Sequence, residues 1–291
     1  MTRNNTSLHE LRRDKRAVSP AISTVVLTSA VVVLLIVTIV FANNFLDSRL
    51  AENEFTAMEQ FMQTVGLQID DVAWIIGRTQ TVTYASKYGQ VCFESETLVY
   101  SVYVNKGGPD VFVANYSVGV ILFNMPISKY SIGNDYYECI FPSDRSFLQE
   151  GTSAPVSYVY AIENVPMLDG SFIRVVVAPI IRMLNSTISM GEAEENNYFK
   201  FYLPILSNGT SPYSSQSVTL TGKNVLVKTE GNVNSVRIEV SFPRATEWFG
   251  KAFFNFKQAE GGEEVVDEEV DVPDGSIIEF YTSEVSVSLG L

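Results

Sequence analysis

The chain has 291 residues, 46% hydrophobic and only 18% charged, and its 33 acids against 20 bases give a formal net charge of −13. That balance excludes a binder of nucleic-acid backbone, which needs clustered Lys and Arg, and the abundance of Val, Ile, Phe and Tyr excludes a disordered chain. The one histidine, His9, lies in the N-terminal tail, so His-dependent triads, most catalytic zinc sites and His-ligated haem are disfavoured.

The first fifty residues are the most informative. Residues 17–46 contain no ionisable side chain, and their apolar centre runs from Val25 to Phe41. This exceeds the roughly 20 residues needed to cross a bilayer. Arg12, Arg13, Lys15 and Arg16 precede it, whereas Asp47, Arg49, Glu52 and Glu54 follow. The excess of bases on the N-terminal side predicts a cytoplasmic N-terminus, a membrane-lipid environment for the helix and an exported remainder. An ordinary secretory signal has an apolar region of about 7–15 residues and an A-x-A-like end. Here the run is longer, and Phe41-Ala-Asn-Asn is a poor match to such an end.

The order of features is a short polar leader, then Lys15-Arg16-Ala17, then Val18-Ser19-Pro20-Ala21-Ile22, then the apolar run. In these residues the chain resembles the archaeal type IV pilin family, whose precursors carry a class III signal peptide. The match covers about a tenth of the chain. The resemblance implies cleavage by a membrane prepilin peptidase between Ala17 and Val18, with Lys15, Arg16, Ala17 and Val18 as the recognised residues. It also implies assembly with other pilin subunits through the helix. Position five after such a cut is Ile22, where bacterial pilins carry Glu; archaeal relatives often lack it. Cleavage would remove five bases and two acids, a net of +3, leaving a chain of −16. Pro20 suits a helix start and Ser19 an N-cap. Val25, Leu27, Val31, Leu34, Leu35 and Ile39 are expected to carry assembly.

Beyond residue 44 apolar side chains recur at Leu46, Leu50, Phe55, Met58, Phe61, Met62, Val65, Ile69, Val72 and Ile76. These spacings predict one helical stripe, so the helix is expected to continue to about residue 76, roughly 85 Å from residue 20. Its first half would be apolar all round and its second half amphipathic. The alternative is a membrane anchor followed by a separate core helix.

From residue 78 the pattern alternates. Strands are expected at Thr79–Tyr84, Thr97–Val104, Val111–Phe123, Val156–Ile162, Phe172–Ile181, Tyr198–Leu206, Asn224–Thr229, Ser235–Phe242, Lys251–Phe256, Ile277–Tyr281 and Glu284–Leu289. Turn signals at Lys106-Gly-Gly-Pro-Asp110, Asn208-Gly209, Gly261-Gly262 and Pro273-Asp-Gly275 separate them. The fold class is therefore α+β: a long N-terminal hydrophobic helix followed by a mainly antiparallel β-sandwich head. The organisation reads as a leader (1–17), a membrane and assembly helix (18–44), its amphipathic continuation (45–77) and two β-rich parts (78–190 and 191–291). The polar stretch Met190 to Asn197 is the candidate seam.

Sequons at Asn115, Asn185 and Asn208 mark candidate N-glycosylation sites in surface turns of the head. Cys92 and Cys139 form an even pair in the exported part, read either as a disulfide closing a loop of about 46 residues or as two buried thiols. The acidic run Glu260 to Asp274 reads as a solvated hairpin, since it lacks the glycine of an EF-hand loop. No catalytic motif, metal-ligand set or cofactor cradle occurs, so the chain is not expected to be an enzyme or to hold a cofactor. The leading expectation is a structural subunit of a pilus-like filament, of the minor or tip kind, with a head for adhesion. The rival is a single-pass anchored binding or envelope protein that never polymerises.

Overall fold

The computed structural model describes residues 7–133, 135–163, 171–189, 195–210, 216–257 and 265–290, with side chains from residue 22 onward. Helix α1 (Ser7–Ala73) is continuous over 67 residues. It starts ahead of the expected Ser19–Pro20 cap, because Leu8, Glu10, Leu11, Arg12, Arg13, Lys15 and Ala17 are all good helix formers. The chain divides into two compact units, Met1–Leu50 and Ala51–Leu291.

In the first unit every described side chain is exposed, and the helix is long and apolar enough to cross a membrane. The second unit joins the last part of α1 to a large, mostly antiparallel sheet. Its strands are β1 (Thr79–Thr83), β2 (Gln90–Asn105), β3 (Val111–Pro126), β4 (Tyr137–Phe141), β5 (Leu148–Glu150) and β6 (Ser157–Glu163). They continue with β7 (Phe172–Pro179), β8 (Ile181–Ser189), β9 (Glu195–Asn208), β10 (Ser217–Ser241) and β11 (Val265–Gly290). The order is β4-β6-β7-β3-β2-β10-β11-β9-β8-β5, and β1 pairs separately with β10. Among the described residues only β9–β11 and β5–β8 are parallel.

One junction folds this sheet over on itself. β7 lies third from one end and β8 second from the other, yet Ile180 alone separates them in the chain. The two halves therefore face each other. Between them lies an inner core that includes Tyr100, Leu122, Tyr160, Val176, Phe201 and Phe280. A second core forms where Phe55, Met58, Met62, Val65, Ile69 and Val72 of α1 pack on the outer face of β3, β6 and β7. Those strands are consequently buried on both faces: Val176 and Ala178 point into the inner core, Val175 and Val177 towards the helix. That is why Ile173 to Ile181 reads as a near-continuous apolar run with Arg174 as its one charge.

Three sequence expectations change. First, the head is not divided at the candidate seam: β8 and β9, on either side of it, pair antiparallel with Ser189 opposite Glu195 and belong to one unit, while residues 190–194 themselves lie outside the described residues. Second, Lys251–Phe256 is not a strand but begins with the short helix α2 (Lys251–Phe254). Phe249 and Phe253 lie four apart and both enter the inner core, and left-handed Trp248 and Asn255 bracket the turn. Third, Pro273-Asp-Gly275 does not end a strand. Val272–Gly275 bulges between the pairs Ser235–Asp271 and Val233–Ser276, with Gly275 at φ 82°, and β11 runs on. The four pieces expected around Asn224–Phe242 and Ile277–Leu289 thus merge into β10 and β11. The expected Gly261-Gly262 turn lies outside the described residues.

Candidate assembly helix and its seat on the head

Val25, Leu27, Val31, Leu34, Leu35 and Ile39 all lie on the uncovered apolar segment, where Leu34 is 64% exposed. Three hydroxyls in its apolar centre bond to the helix's own backbone. Thr28 Oγ1 donates to the Thr24 carbonyl at 2.9 Å, Ser29 Oγ to Val26 at 2.9 Å and Thr38 Oγ1 to Leu34 at 2.7 Å. A helix whose hydroxyls bond its own backbone presents no unsatisfied donor to hydrocarbon. Lys15, Arg16, Ala17 and Val18 lie within α1, and their side chains are outside the described residues.

Sequence reasoning missed the polar pins that hold the amphipathic part of the helix to the sheet. Glu54 accepts from Ser86 Oγ at 2.5 Å and from the backbone amides of Lys87, Tyr88 and Gly89 at 2.9, 3.0 and 3.2 Å. Burial pushes its carboxyl up, but the hydrogen bonds from Ser86 and the three amides outweigh this and hold it below the ordinary value. Further along, Asp70 accepts from Arg182 Nη1 at 2.8 Å and from Trp74 Nε1 at 2.7 Å. Trp74 and Arg182 both rest on the Tyr202 ring. Ser157 Oγ donates to the Gly66 carbonyl and Ser283 Oγ to the Ala73 carbonyl. Apart from Trp74, which lies one helical turn from Asp70, the hydrogen-bonded partners are more than 30 residues apart in sequence, so no local pattern announces them.

Replacing Glu54 by Ala leaves several amides of the β1–β2 loop without an acceptor. The expected cost is about 2 kcal/mol, read as a lower denaturation midpoint for Glu54→Ala than for the parent chain. Because the folded carboxyl lies below its unfolded value of 4.5, its stabilisation is present above that pH. It should fade as acid protonates the folded group.

The opposite shift occurs at Glu59. Together with Thr56, Gln60 and Gln63 of α1 and with Glu138, Cys139 and Ile140 of β4, it lines a cleft of about 230 Å³. Burial, then the nearby Glu138 carboxylate, pushes Glu59 up to about 7. A raised folded value means the proton is held more tightly in the folded chain. Its stabilising contribution is complete below pH 4.5 and is lost as pH rises through 7. Glu59→Gln should therefore flatten the pH 5–8 stability profile and stabilise the head at pH 8 by about 1 kcal/mol, after allowance for solvent screening.

Cys92 and Cys139 are thiols, and the sheet explains why they are not joined. The register runs Cys92–Leu122, Leu122–Val176, Val176–Tyr160 and Tyr160–Cys139, so four strand steps separate them. At about 4.8 Å per step this is roughly 19 Å, well past the ~7 Å between Cα atoms that a disulfide spans. Cys92 Sγ lies 3.8 Å from Asn124 Nδ2, and Cys139 Sγ 3.1 Å from the Tyr158 hydroxyl. The sequon asparagines are all exposed, but Asn115 and Asn185 lie inside β3 and β8, and Asn208 ends β9. Only the last stands at a strand end as expected. Of the acidic run, Glu260 to Glu264 lies outside the described residues. Asp267 to Asp271 belongs to β11, where Glu269 pairs with Arg237 of β10.

Comparison with family models, with curated proteins and with solved structures gives no match for this chain. What the structure itself shows is an N-terminal apolar helix joined to a β-rich head.

Proposed function

We propose that the chain is an archaeal type IV pilin-like subunit. It is inserted in the membrane with its N-terminus inside, is cut between Ala17 and Val18, and is assembled with other copies through its apolar helix. The observation that carries this reading is the uncovered stretch Ile22–Leu50, within the unit Met1–Leu50, following Lys15-Arg16-Ala17/Val18-Ser19-Pro20. An apolar surface of the size that Ile22–Phe41 presents needs lipid or other helices around it. The head then faces outward for adhesion or surface contact, as a minor or tip subunit with no enzymatic role, and Asn115, Asn185 and Asn208 are its accessible glycan acceptors.

Intact mass and N-terminal sequencing of the protein from its native membranes test this directly. A chain beginning at Val18 supports peptidase processing and assembly. A chain that keeps Arg12 to Arg16 overturns it in favour of an anchored β-rich binding module.

A further inference from the structure

β10 has a gap along one edge. On the side away from β11 it pairs with β1 through Ser217–Thr221 and with β2 through Ser235–Ser241. Between these, Asn224–Glu230 bonds to β11 alone and has no backbone partner on the other side among the described residues. The gap is bordered by exposed apolar side chains. Leu226 and Val227 on the strand are 60% and 51% exposed. At one end Gly222 bonds to Gly77 and Arg78 beside Ile75 and Ile76, the latter 65% exposed. At the other, Lys228 Nζ donates to the Val113 carbonyl, next to Phe112, which is 54% exposed. A row of unpaired amides and carbonyls with apolar flanks is a template for one more strand.

The charge on this edge selects the partner. Lys223 and Lys228 are exposed on a chain of net −13, and Glu230, the acid at the end of the segment, is held by Lys106 Nζ at 3.0 Å. Lysines on an open strand ordinarily repel unwanted pairing; an acidic strand is the one they admit. The sheet offers such a strand at its outer end. Among the described residues β4 pairs only with β6, and it carries exposed Glu138 with exposed Asp135 just before it. The other open edges fit less well: β1 is uncharged and flanked by Arg78 and Lys87, and β5 has only three residues.

We infer that the open edge of β10 receives β4 of a second copy of this chain, head to head within the assembly. Different surfaces meet on the two copies, so the contact is head-to-tail and is of the kind that an open helical filament is built from. A strand pair of about five residues falls well short of the ~1,200 Å² of a stable independent interface. It forms because packed N-terminal helices raise the effective concentration of neighbouring heads, and in that respect it rests on the filament reading above.

The test uses the full chain in lipid vesicles, with Leu35→Cys introduced on a Cys92→Ser, Cys139→Ser background. Disulfide formation at residue 35 reports helix packing, and amide hydrogen exchange reports the two edges. The expected result is cross-linking together with at least tenfold slower exchange in both Asn224–Glu230 and Tyr137–Phe141, relative to the same chain dispersed in detergent. Cross-linking without slower exchange overturns the edge pairing and leaves helix-driven assembly standing. Slower exchange at Asn224–Glu230 alone overturns β4 as the occupant. Absence of both overturns the two readings together.

Discussion

Gly222→Ala should lower the melting temperature of the head by roughly 10 °C, the cost of about 3 kcal/mol in a unit of this size. A Cβ at residue 222 would come within 2.6 Å of the Val72 carbonyl oxygen and 2.7 Å of that of Ile75. Both are backbone atoms, so no rotamer change relieves the overlap. Gly222 also exchanges backbone hydrogen bonds with the segment leaving the helix, donating to Arg78 and accepting from Gly77. Moving β10 away to make room would break these bonds and the register bulge that follows at Lys223. Gly66→Ala is the internal comparison. Its Cβ would meet Val159 Cγ2 at 2.8 Å and Ser157 Oγ at 2.9 Å, which are side-chain atoms. Alanine also returns about 1 kcal/mol of helix propensity there. Calorimetry on the two variants should rank Gly222→Ala well below Gly66→Ala; equal melting temperatures would refute the backbone argument.

The second large effect concerns the apolar segment. Val31→Asp combined with Leu35→Asp places two carboxylates one helical turn apart near the middle of the stretch. Each costs about 3–4 kcal/mol of membrane insertion once the lost aliphatic side chain is included, or about 6–8 kcal/mol together. The double variant should leave the membrane fraction, as carbonate extraction and fractionation would show. The head, a separate unit from Ala51 onward, should keep its melting temperature. Retention of the variant in membranes would mean that the segment is not what holds the chain there.

Much of this architecture is legible in the sequence. The apolar run, its amphipathic continuation and the change to period-two patterning at residue 78 mark the α+β plan, because each is a burial pattern written locally. The misread elements have a shared cause: their environment is made by distant residues. Phe253 and Phe254 have strand propensity, yet they sit in a helical turn because the inner core wants aromatic side chains at both. Pro273-Asp-Gly275 carries turn residues, yet pairing with β10 on either side pulls it into a bulge. The two cysteines look like a pair until the strand order separates them. Glu54, Glu59 and Asp70 resemble one another as acids on the polar side of a helix. Only the partners brought by the fold make one a loop anchor, one a group titrating near neutrality and one an ion-pair centre.

The placement of Ala51–Ala73 in the outer core decides where the head can be cut loose. A protease or a truncation acting at residue 78, where the strands begin, would strip Phe55, Met58, Met62, Val65 and Ile69 from Ile121, Phe123, Val159 and Val177. The remaining sheet would show water a broad aliphatic face, the kind of surface that drives aggregation. Cleavage between Asp47 and Leu50 instead falls in the exposed stretch before the packed helix and leaves both cores whole. Release of an intact head is thus confined to a window of a few residues just ahead of Ala51.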